Sequence, residues 1–506
     1  METSQDPNEQ GKFGRRRFLL LTGSAAAAAV VVGCGGSKTN AHGSSGDASE
    51  VGADSAEVAR VEAKRRRPSA PVRDFALVAS PYEFDLGGKV VKTWAFSDQI
   101  PGPLLRANVG DVLRVGLKNE LPESTAIHWH GLAIRNDMDG VPGLTEGGIK
   151  PRSSFQYEFA LPDSGTYFFH PHVGLQLDRG LYAPLIVDDP TEPGAYDREW
   201  IIVLDDWIDG VNGTPDDELV QLRTAMTGSA TMAHNMTTGP SMNMRSALLG
   251  GDAGDVRYPY YLLNGRTNKD PETLTVRPGD RVRIRVINAG SDTAFVFGIQ
   301  EHQMTITHAD GLLVADEVAD RVLIGMGERF DAMLTAGDGA FVCTAVAEGK
   351  GGEATAVLRT SPGARVPVVA SPPTAGALEL ASLASQGKQP VRSIDRQLRV
   401  ALGGSMSNYR WTINEKAFPK TDPLRIREGE GVRMTLDNRS TMWHPMHLHG
   451  HTFTLPSGVR KDTVIVKPGQ RIPVEFTADN PGQWMLHCHN VYHQEAGMST
   501  VLSYRK

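Results

Sequence analysis

A fifteen-residue pattern occurs three times along the chain, and this internal repeat constrains the possible folds more than any other feature. In each copy, two runs of alternating apolar and polar residues flank a glycine-containing turn, which is the pattern of strand, turn and strand. A shorter element that begins with glycine also occurs three times, at Gly165, Gly339 and Gly482. The long copies span residues 105–119, 274–288 and 424–438.

Each copy ends in asparagine, and the copies are spaced like whole domains. Asn119, Asn288 and Asn438 follow one another at intervals of 169 and 150 residues. The 54 glycines and 31 prolines among 506 residues favour short strands and many turns over a helical bundle. We therefore predict an all-β fold of three consecutive Greek-key β-sandwich domains at residues 72–192, 193–361 and 392–506, with a Pro- and Ala-rich linker at 362–391.

The charge balance and the cysteine count exclude two classes of protein. The formal net charge is −7 and no domain-sized segment is basic, so we expect no binding to nucleic acid. Cys34, Cys343 and Cys488 are too few for a disulfide scaffold.

Residues 1–33 have the pattern of a twin-arginine export signal. Arginines at 15–17 precede an apolar run over 18–32, which is short for a membrane span and typical of a signal peptide. The run ends in a lipobox-like sequence at Cys34, which predicts a lipid anchor to the membrane; the alternative is an ordinary signal peptide cleaved elsewhere. Residues 34–71 are rich in Ser, Gly and charge and are predicted to form a flexible tether. We expect the protein in the cell envelope, on the outer side of the cytoplasmic membrane or in the periplasm.

Ten of the 15 histidines fall into four tight clusters, which randomly placed structural histidines would not do. Each cluster contains a His-x-His pair, and residues i and i+2 of a strand point to the same face. Each pair therefore aims two imidazoles in one direction, and imidazole is a ligand for copper, zinc, iron and nickel. The clusters are His128-Trp-His130, His170-Pro-His172, His444-Pro-Met-His447-Leu-His449, and His487-Cys-His489 with His493.

Cys488 lies between two histidines and points to the opposite face of its strand, so one strand can serve two metal sites. Cys488, His493 and Met498 follow the spacing Cys-x4-His-x4-Met, and His444 is an upstream imidazole. Two imidazoles, a thiolate and a weak axial thioether are the ligands of a blue-copper electron-transfer site. A structural zinc site has no use for Met498, and a Cys–His nucleophile does not explain the other histidine pairs.

The remaining eight imidazoles are too many for one metal and could be divided among three coppers. Counted from the repeated asparagine, the positions of His128 and His130 correspond to Phe297 and Ile299 in the second domain and to histidines in the third. We therefore predict a metal cluster between the first and third domains, with the second domain as a spacer that has lost every ligand. Cys343 falls beside the position of Cys488 and is expected to be a small buried apolar residue.

These motifs, in this order, resemble those of the three-domain multicopper oxidases, the family of laccases, ascorbate oxidase and bacterial cuprous oxidases. The resemblance covers about residues 72–506 and includes Pro101-Gly-Pro103, Met138-Asp-Gly-Val-Pro and Gly165-Thr-Tyr. It implies cupredoxin-like domains and four copper ions. It also implies that a reductant gives single electrons to a type 1 copper, that these pass through Cys488 to His487 and His489, and that dioxygen is reduced to water at a three-copper cluster.

The resemblance further implies a role for each ligand. Asp139 stands where family members place an acid near the cluster, whereas the glutamate that follows the last type 1 histidine in some cuprous oxidases is Gln494 here. The implied ligands are His444, Cys488, His493 and Met498 for type 1 copper, His128 and His447 for type 2, His130, His170 and His489 for one type 3 copper, and His172, His449 and His487 for the other.

A methionine-rich segment at residues 226–244 bears on the substrate. Its neighbouring residues are small and polar, unlike a core helix, and soft thioethers favour Cu(I). We predict that it gathers Cu(I) near the type 1 site and that the protein oxidises Cu(I) in copper tolerance. The alternatives are a laccase-like oxidase of phenols or aromatic amines and a copper-binding lipoprotein without catalysis. The segment contains Met226, Met232, His234, Met236, Met242 and Met244.

Overall fold

The computed structural model describes residues 50–192, 194–225, 244–367, 371–387 and 393–506. Over these ranges the chain is mostly β-structure, and its strands form three β-sandwiches in chain order. The predicted all-β class with three sandwich domains is confirmed. Three α-helices accompany the strands in the described ranges: α1 Ala56–Arg65, α2 Pro215–Ala225 and α3 Val491–Glu495.

The first sandwich is built from eight strands: β1 Val72–Asp85, β2 Val90–Phe96, β3 Leu105–Asn108, β4 Val112–Asn119, β5 His128–His130, β6 Ser154–Ala160, β7 Gly165–His170 and β8 Ala183–Asp188. They form two four-stranded sheets, in the orders β2-β1-β4-β6 and β3-β8-β7-β5. Between the sheets, the ring centroid of Trp129 lies 5.1 Å from that of Phe159 and 5.3 Å from that of Phe169. Because side chains alternate along β5, burying Trp129 turns its two flanking histidines to the other face.

The second sandwich contains the strands β9 Arg198–Trp207, β10 Arg245–Ser246, β11 Gly251–Asp252, β12 Tyr260–Leu263, β13 Glu272–Thr275, β14 Arg281–Asn288, β15 Phe295–Ile299, β16 Met304–Ala309, β17 Leu312–Ala319, β18 Arg321–Ile324, β19 Arg329–Thr335, β20 Ala340–Ala347, β21 Gly352–Arg359 and β22 Leu378–Glu379. Its two six-stranded sheets have the orders β12-β9-β14-β19-β16-β17 and β13-β21-β20-β15-β18-β22, and β10 pairs with β11 separately.

The third sandwich contains the strands β23 Ile394–Ser405, β24 Arg410–Ile413, β25 Leu424–Arg427, β26 Gly431–Asn438, β27 His444–Leu448, β28 Phe453–Thr454, β29 Arg460–Lys461, β30 Thr463–Val466, β31 Arg471–Thr477, β32 Gln483–Cys488 and β33 Ser499–Arg505. Its sheets have the orders β24-β23-β26-β31-β28-β29 and β25-β33-β32-β27-β30.

The repeated pattern forms the same two strands in every sandwich. These are β3 and β4, β13 and β14, and β25 and β26, as the alternating runs predict. The two strands of a copy do not pair with each other. In the first sandwich β3 pairs with β8, whereas β4 pairs with β1 and β6, so the glycine-containing turn carries the chain from one sheet to the other.

The asparagine that ends each copy makes the same three hydrogen bonds in each sandwich. Asn288 donates from Nδ2 to the carbonyl oxygens of Thr293 and Ile324, and its Oδ1 accepts from the amide of Gly290. Asn119 and Asn438 make the equivalent bonds in their own loops. The repeated asparagine therefore fixes the loop that leads into β5, β15 or β27, two of which carry histidines of the predicted clusters.

Within the predicted tether at 34–71 the structure describes residues 50–71, and these correct the prediction of a flexible segment. Residues 56–65 form α1, capped by Ser55, and Val58 and Glu62 are buried. The Glu62 carboxylate accepts from the amide of Ala160 in the first sandwich, while the amide of Val51 donates to the carbonyl of Tyr504 in the third. This segment thus joins the first and third sandwiches; its apolar stripe is too short to stand out in a polar sequence.

The predicted linker is partly held against the second sandwich, since β22 pairs in parallel with β18. None of the helices in the described ranges has the length and apolar character needed to cross a lipid bilayer. The signal at 1–33 and Cys34 lie outside the described residues.

We predict that replacing Asn288 by alanine lowers the free energy of unfolding by about 2–4 kcal/mol, because two buried carbonyls and one amide lose their partner. Urea denaturation measures the change. The matched control is Asn268→Ala, at an exposed asparagine of the same sandwich, which should change stability by less than about 0.5 kcal/mol. Equal effects of the two substitutions would contradict the role of the repeated asparagine.

Candidate metal centres

The histidine clusters lie on neighbouring strands of one sheet in the first sandwich and one sheet in the third. β5 pairs with β7, which places His128 opposite His170. β27 pairs with β32, which places His447 opposite His487 and Met446 opposite Cys488. Within each of these sandwiches, strand pairing thus brings two histidine clusters together.

Cys488 and two histidines form a compact set on one side of β32. The Cys488 Sγ lies 3.7 Å from Nδ1 of His444 and 3.7 Å from Nδ1 of His493, and these two nitrogens are 3.1 Å apart. Met498 is buried beside them, its amide donating to the His493 carbonyl and its carbonyl accepting from the Cys488 amide, both at 3.0 Å. A thiolate and two imidazoles converging on one point suit a soft transition metal such as copper.

The outer nitrogens of these two imidazoles are held by polar partners. The Nε2 atom of His444 lies 2.7 Å from the Ser440 hydroxyl, and Nε2 of His493 lies 2.9 Å from Oδ2 of Asp255. Burial opposes a charge on His493, but the Asp255 carboxylate outweighs this effect and raises the pKa of His493 to about 10. Such outer partners fix the ring orientation and leave Nδ1 facing the thiol.

The other eight imidazoles converge between the first and third sandwiches. Nε2 of His128 lies 3.4 Å from Nε2 of His447, Nε2 of His449 lies 3.1 Å from Nε2 of His487, and Nε2 of His489 lies 3.2 Å from Nδ1 of a further histidine, His130. Three triads have ligand atoms within 4.8 Å of one another: His128, His130 and His447; His130, His170 and His489; and His172, His449 and His487.

The ring nitrogens show that this arrangement fits metal ions. The Nε2 atoms of His170 and His172 are buried without a hydrogen-bond partner, which is costly unless another group satisfies them. Burial lowers the pKa of the imidazoles, which keeps them neutral with a free lone pair. The pKa is lowered in this way for His130, His170, His172, His444, His447, His449, His487 and His489.

Asp139 contacts the cluster histidines, as the family resemblance implies. It is 1% exposed, and its two carboxylate oxygens lie 3.1 Å from Nδ1 of His128 and 2.9 Å from Nδ1 of His449. It thereby orients one imidazole from each of two sandwiches. Gln494 has its Nε2 3.5 Å from Nδ1 of His172.

The second sandwich has apolar residues at the equivalent positions. Phe297 and Ile299 are buried on β15, and Cys343 is fully buried opposite Ile299 on β20. The methionine-rich segment lies outside the described residues except for Met244, which is 2% exposed, so its thioether is closed to solvent.

Sequence reasoning missed the residues that contact the outer ring nitrogens of the candidate ligands. Asp255 and Asp462 contact ring nitrogens of His493 and His130, at 2.9 and 3.2 Å, yet neither belongs to a histidine motif. Arg329, which pairs with Asp462, was also missed. No local pattern marks them, because each meets its partner only through the packing of separate strands.

Known proteins are similar to this chain in sequence and architecture. Family models described as multicopper oxidase match residues 80–192, 198–363 and 393–506. The chain is 43% identical to the multicopper oxidase MmcO of Mycobacterium tuberculosis, an alignment that covers 100% of this chain and 99% of that protein. It is 28% identical to a copper resistance protein A homolog of Pseudomonas syringae pv. tomato, over 84% of this chain and 91% of that protein. A mutant of the laccase from Botrytis aclada superposes with a TM-score of 0.72 at 25% identity, covering 86% of this chain and 88% of that one.

We predict that Cys488→Ser removes the blue thiolate-to-copper absorption and one copper per chain, while the copper bound among the eight other imidazoles remains. Visible spectroscopy and copper analysis measure both quantities. Cys343→Ser is the matched control, because both thiols are fully buried and only Cys488 faces imidazoles. Blue absorption that survives Cys488→Ser would refute the site.

Proposed function

This chain belongs to the multicopper oxidase family, and from that premise we propose that it couples the one-electron oxidation of Cu(I) to the four-electron reduction of dioxygen to water. It is an enzyme of the copper oxidase class, and the observation that carries the proposal is the position of Cys488. Its sulfur belongs to the set with His444 and His493, while its chain neighbours His487 and His489 belong to the cluster of eight imidazoles.

We assign four copper ions to these residues. Bound there, the copper ions would accept single electrons from substrate and deliver four to dioxygen. We assign type 1 copper to His444, Cys488, His493 and Met498, type 2 copper to His128 and His447, and the type 3 pair to His130, His170 and His489 and to His172, His449 and His487.

The protein's own groups support this division of labour. Cys488 is covalently continuous with His487 and His489, so the chain itself connects the two sets of ligands. Seven of the eight cluster histidines are buried between two sandwiches and the eighth, His172, is partly exposed, so bulk water has little access to the cluster. Asp139 Oδ1 and Oδ2 accept from the His128 and His449 rings, and this carboxylate is the buried group best placed to pass protons to the cluster.

The surroundings of His493 favour a metal ion as the substrate. The His493 ring is fully buried and its outer nitrogen is bonded to Asp255, so an aromatic substrate has no exposed ring edge to contact. The Asp255 Oδ1 atom is buried without a hydrogen-bond partner, so this carboxylate can hold a cation.

Both ends of the methionine-rich segment are anchored near the helix that carries His493. Before the segment, Arg223 on α2 donates to the Glu495 carbonyl on α3 at 3.0 Å. At its other end, the carbonyl oxygen of Met244 accepts from the amide of Ala253, two residues before Asp255. We therefore propose that Met226, Met232, Met236 and Met242, with His234, collect Cu(I) for this site, in a role in copper tolerance.

One alternative remains testable: a laccase-like oxidase of phenols or aromatic amines, which is favoured by the similarity to the Botrytis aclada laccase. The third hypothesis, a copper-binding lipoprotein without catalysis, is not supported, because the chain belongs to an oxidase family. The export signal and the lipid anchor at Cys34 would place any of these proteins in the cell envelope.

We predict that His130→Ala keeps the blue absorption but lowers oxygen uptake by about 100-fold or more, because the cluster loses a ligand while the thiolate set stays intact. An oxygen electrode and visible spectra on fully copper-loaded protein measure the two effects. His302→Ala, in the second sandwich, is the matched control: its ring bonds only local groups, the Gln300 carbonyl and the Gly337 amide. Normal oxygen uptake by the His130 variant would contradict the proposed cluster.

We predict that replacing Met226, Met232, Met236 and Met242 together by leucine raises the KM for Cu(I) by about tenfold or more and leaves phenol turnover unchanged, because leucine keeps the volume but not the sulfur. Steady-state kinetics with Cu(I) and a methoxyphenol test this. Met333→Leu, at a half-buried methionine of β19, is the control.

Unchanged Cu(I) kinetics in the four-fold variant would remove the segment from the mechanism. A wild-type protein that turns over the phenol much faster than Cu(I) would instead support the laccase-like alternative.

A further inference from the structure

The second sandwich carries none of the assigned copper ligands, yet its turn between β18 and β19 touches the cluster. Gly327 has a φ of +80°, and a Cβ atom there would lie 2.8 Å from Cδ2 of His489 and 2.9 Å from Cε1 of His130. Glycine is therefore required both by the backbone conformation and by the two imidazoles packed against it. The second sandwich forms a wall of the cluster and is more than a spacer.

Arg329, two residues further on, connects all three sandwiches. Its side chain is fully buried, and its Nη1 and Nη2 atoms donate to Oδ1 and Oδ2 of Asp462, in the third sandwich, at 2.8 and 2.7 Å. Nε donates to the carbonyl of Thr166, in the first sandwich, and Nη1 also donates to the carbonyl of Gly327. A planar guanidinium is the side chain that can make such a two-pronged contact and still reach further acceptors.

Asp462 in turn faces a cluster histidine. Its Oδ1 lies 3.2 Å from Nε2 of His130, and the Thr463 hydroxyl, which donates to the same Oδ1, lies 3.2 Å from that nitrogen. With Nε2–H donating to this carboxylate, His130 presents the lone pair of Nδ1 to Nε2 of His489. His128, His447, His449 and His487 instead approach their partners through Nε2.

We propose that Arg329 is a positioning residue, which acts by clamping the Asp462 carboxylate so that His130 offers Nδ1, not Nε2, to a cluster copper. The inference rests on the proposed copper cluster. It assigns to the second sandwich the control of one ligand in the site between the other two.

The charges around the clamp show why both its charge and its shape matter. Lys461 lies 3.0 Å from Asp310 and 3.2 Å from Glu328, and Asp310 also accepts from the amides of Arg329 and Asp462. Three carboxylates and two cations are thus enclosed together. Removing the arginine charge would leave a buried carboxylate unpaired, whereas lysine keeps the charge and loses the two-pronged geometry.

The test is Arg329→Lys, compared with Arg283→Lys. Arg283 is a second buried arginine of the same sandwich, and it binds Asp331 through Nε and Nη2, a carboxylate that contacts none of the assigned copper ligands. Both variants are loaded with copper and dialysed against increasing chelator. Copper per chain, the type 1 absorption, the type 2 electron paramagnetic resonance spectrum and the melting temperature of the copper-free protein are then measured.

We expect Arg329→Lys to bind cluster copper about 10- to 100-fold more weakly, while the type 1 absorption stays as in the wild type. The type 2 spectrum should also change, because Oδ1 of Asp462 lies 3.4 Å from Nδ1 of His447, an assigned type 2 ligand. Arg283→Lys should lower the melting temperature without either copper effect. If Arg329→Lys holds its cluster copper like Arg283→Lys, the positioning role is refuted, whatever its stability.

Two further outcomes are separated in advance. If Arg329→Lys fails to fold, Thr463→Val replaces it, because valine keeps the shape of threonine and removes the hydroxyl that donates to Asp462. The Thr463 variant should also bind cluster copper more weakly. Unchanged binding of cluster copper would refute the clamp. If the wild-type protein itself binds no cluster copper, the proposed function fails, and the result does not concern Arg329.

Discussion

The alternation of side chains along β32 is the constraint on which the rest of the structure depends. A strand points successive residues to opposite faces, so the sequence His-Cys-His places sulfur on one side and nitrogens on the other. Cys488 meets His444 and His493 within the third sandwich, whereas His487 and His489 face the neighbouring sandwich. The two proposed metal sites are thereby linked through adjacent residues of one chain segment.

The cluster side of β32 also determines how the sandwiches must assemble. Four imidazoles come from the first sandwich and four from the third, and they converge between the two. A set of this kind exists only while the two sandwiches stay apposed. Three features far apart in the sequence maintain that contact: α1 with the residues before it, the Asp139 carboxylate between His128 and His449, and the Arg329 side chain from the second sandwich.

The three sandwiches share one scaffold, but only the first and third carry the candidate metal ligands. A corresponding order of four strands in each sheet and the same asparagine bonds occur in all three, so the scaffold is retained where the ligands are not. Phe297 and Ile299 give the second sandwich an apolar interior at the equivalent positions. The second sandwich instead contacts the site between its neighbours through the turn at 325–328 and the side chain of Arg329.

The sequence alone determined the all-β class, the three-fold repeat and the sets of residues that converge, because a ligand pair on a strand is a local property with a period of two residues. The tertiary structure alone decided which ring nitrogen each histidine presents to its site and which carboxylate contacts the other nitrogen. Asp255 lies 238 positions from His493, and Asp462 lies 332 positions from His130. Such partners meet only when separate sheets pack, so no spacing in the chain could have indicated them. The helix α1 was not predicted for the same reason, because its short apolar stripe is buried only where it packs against two sandwiches.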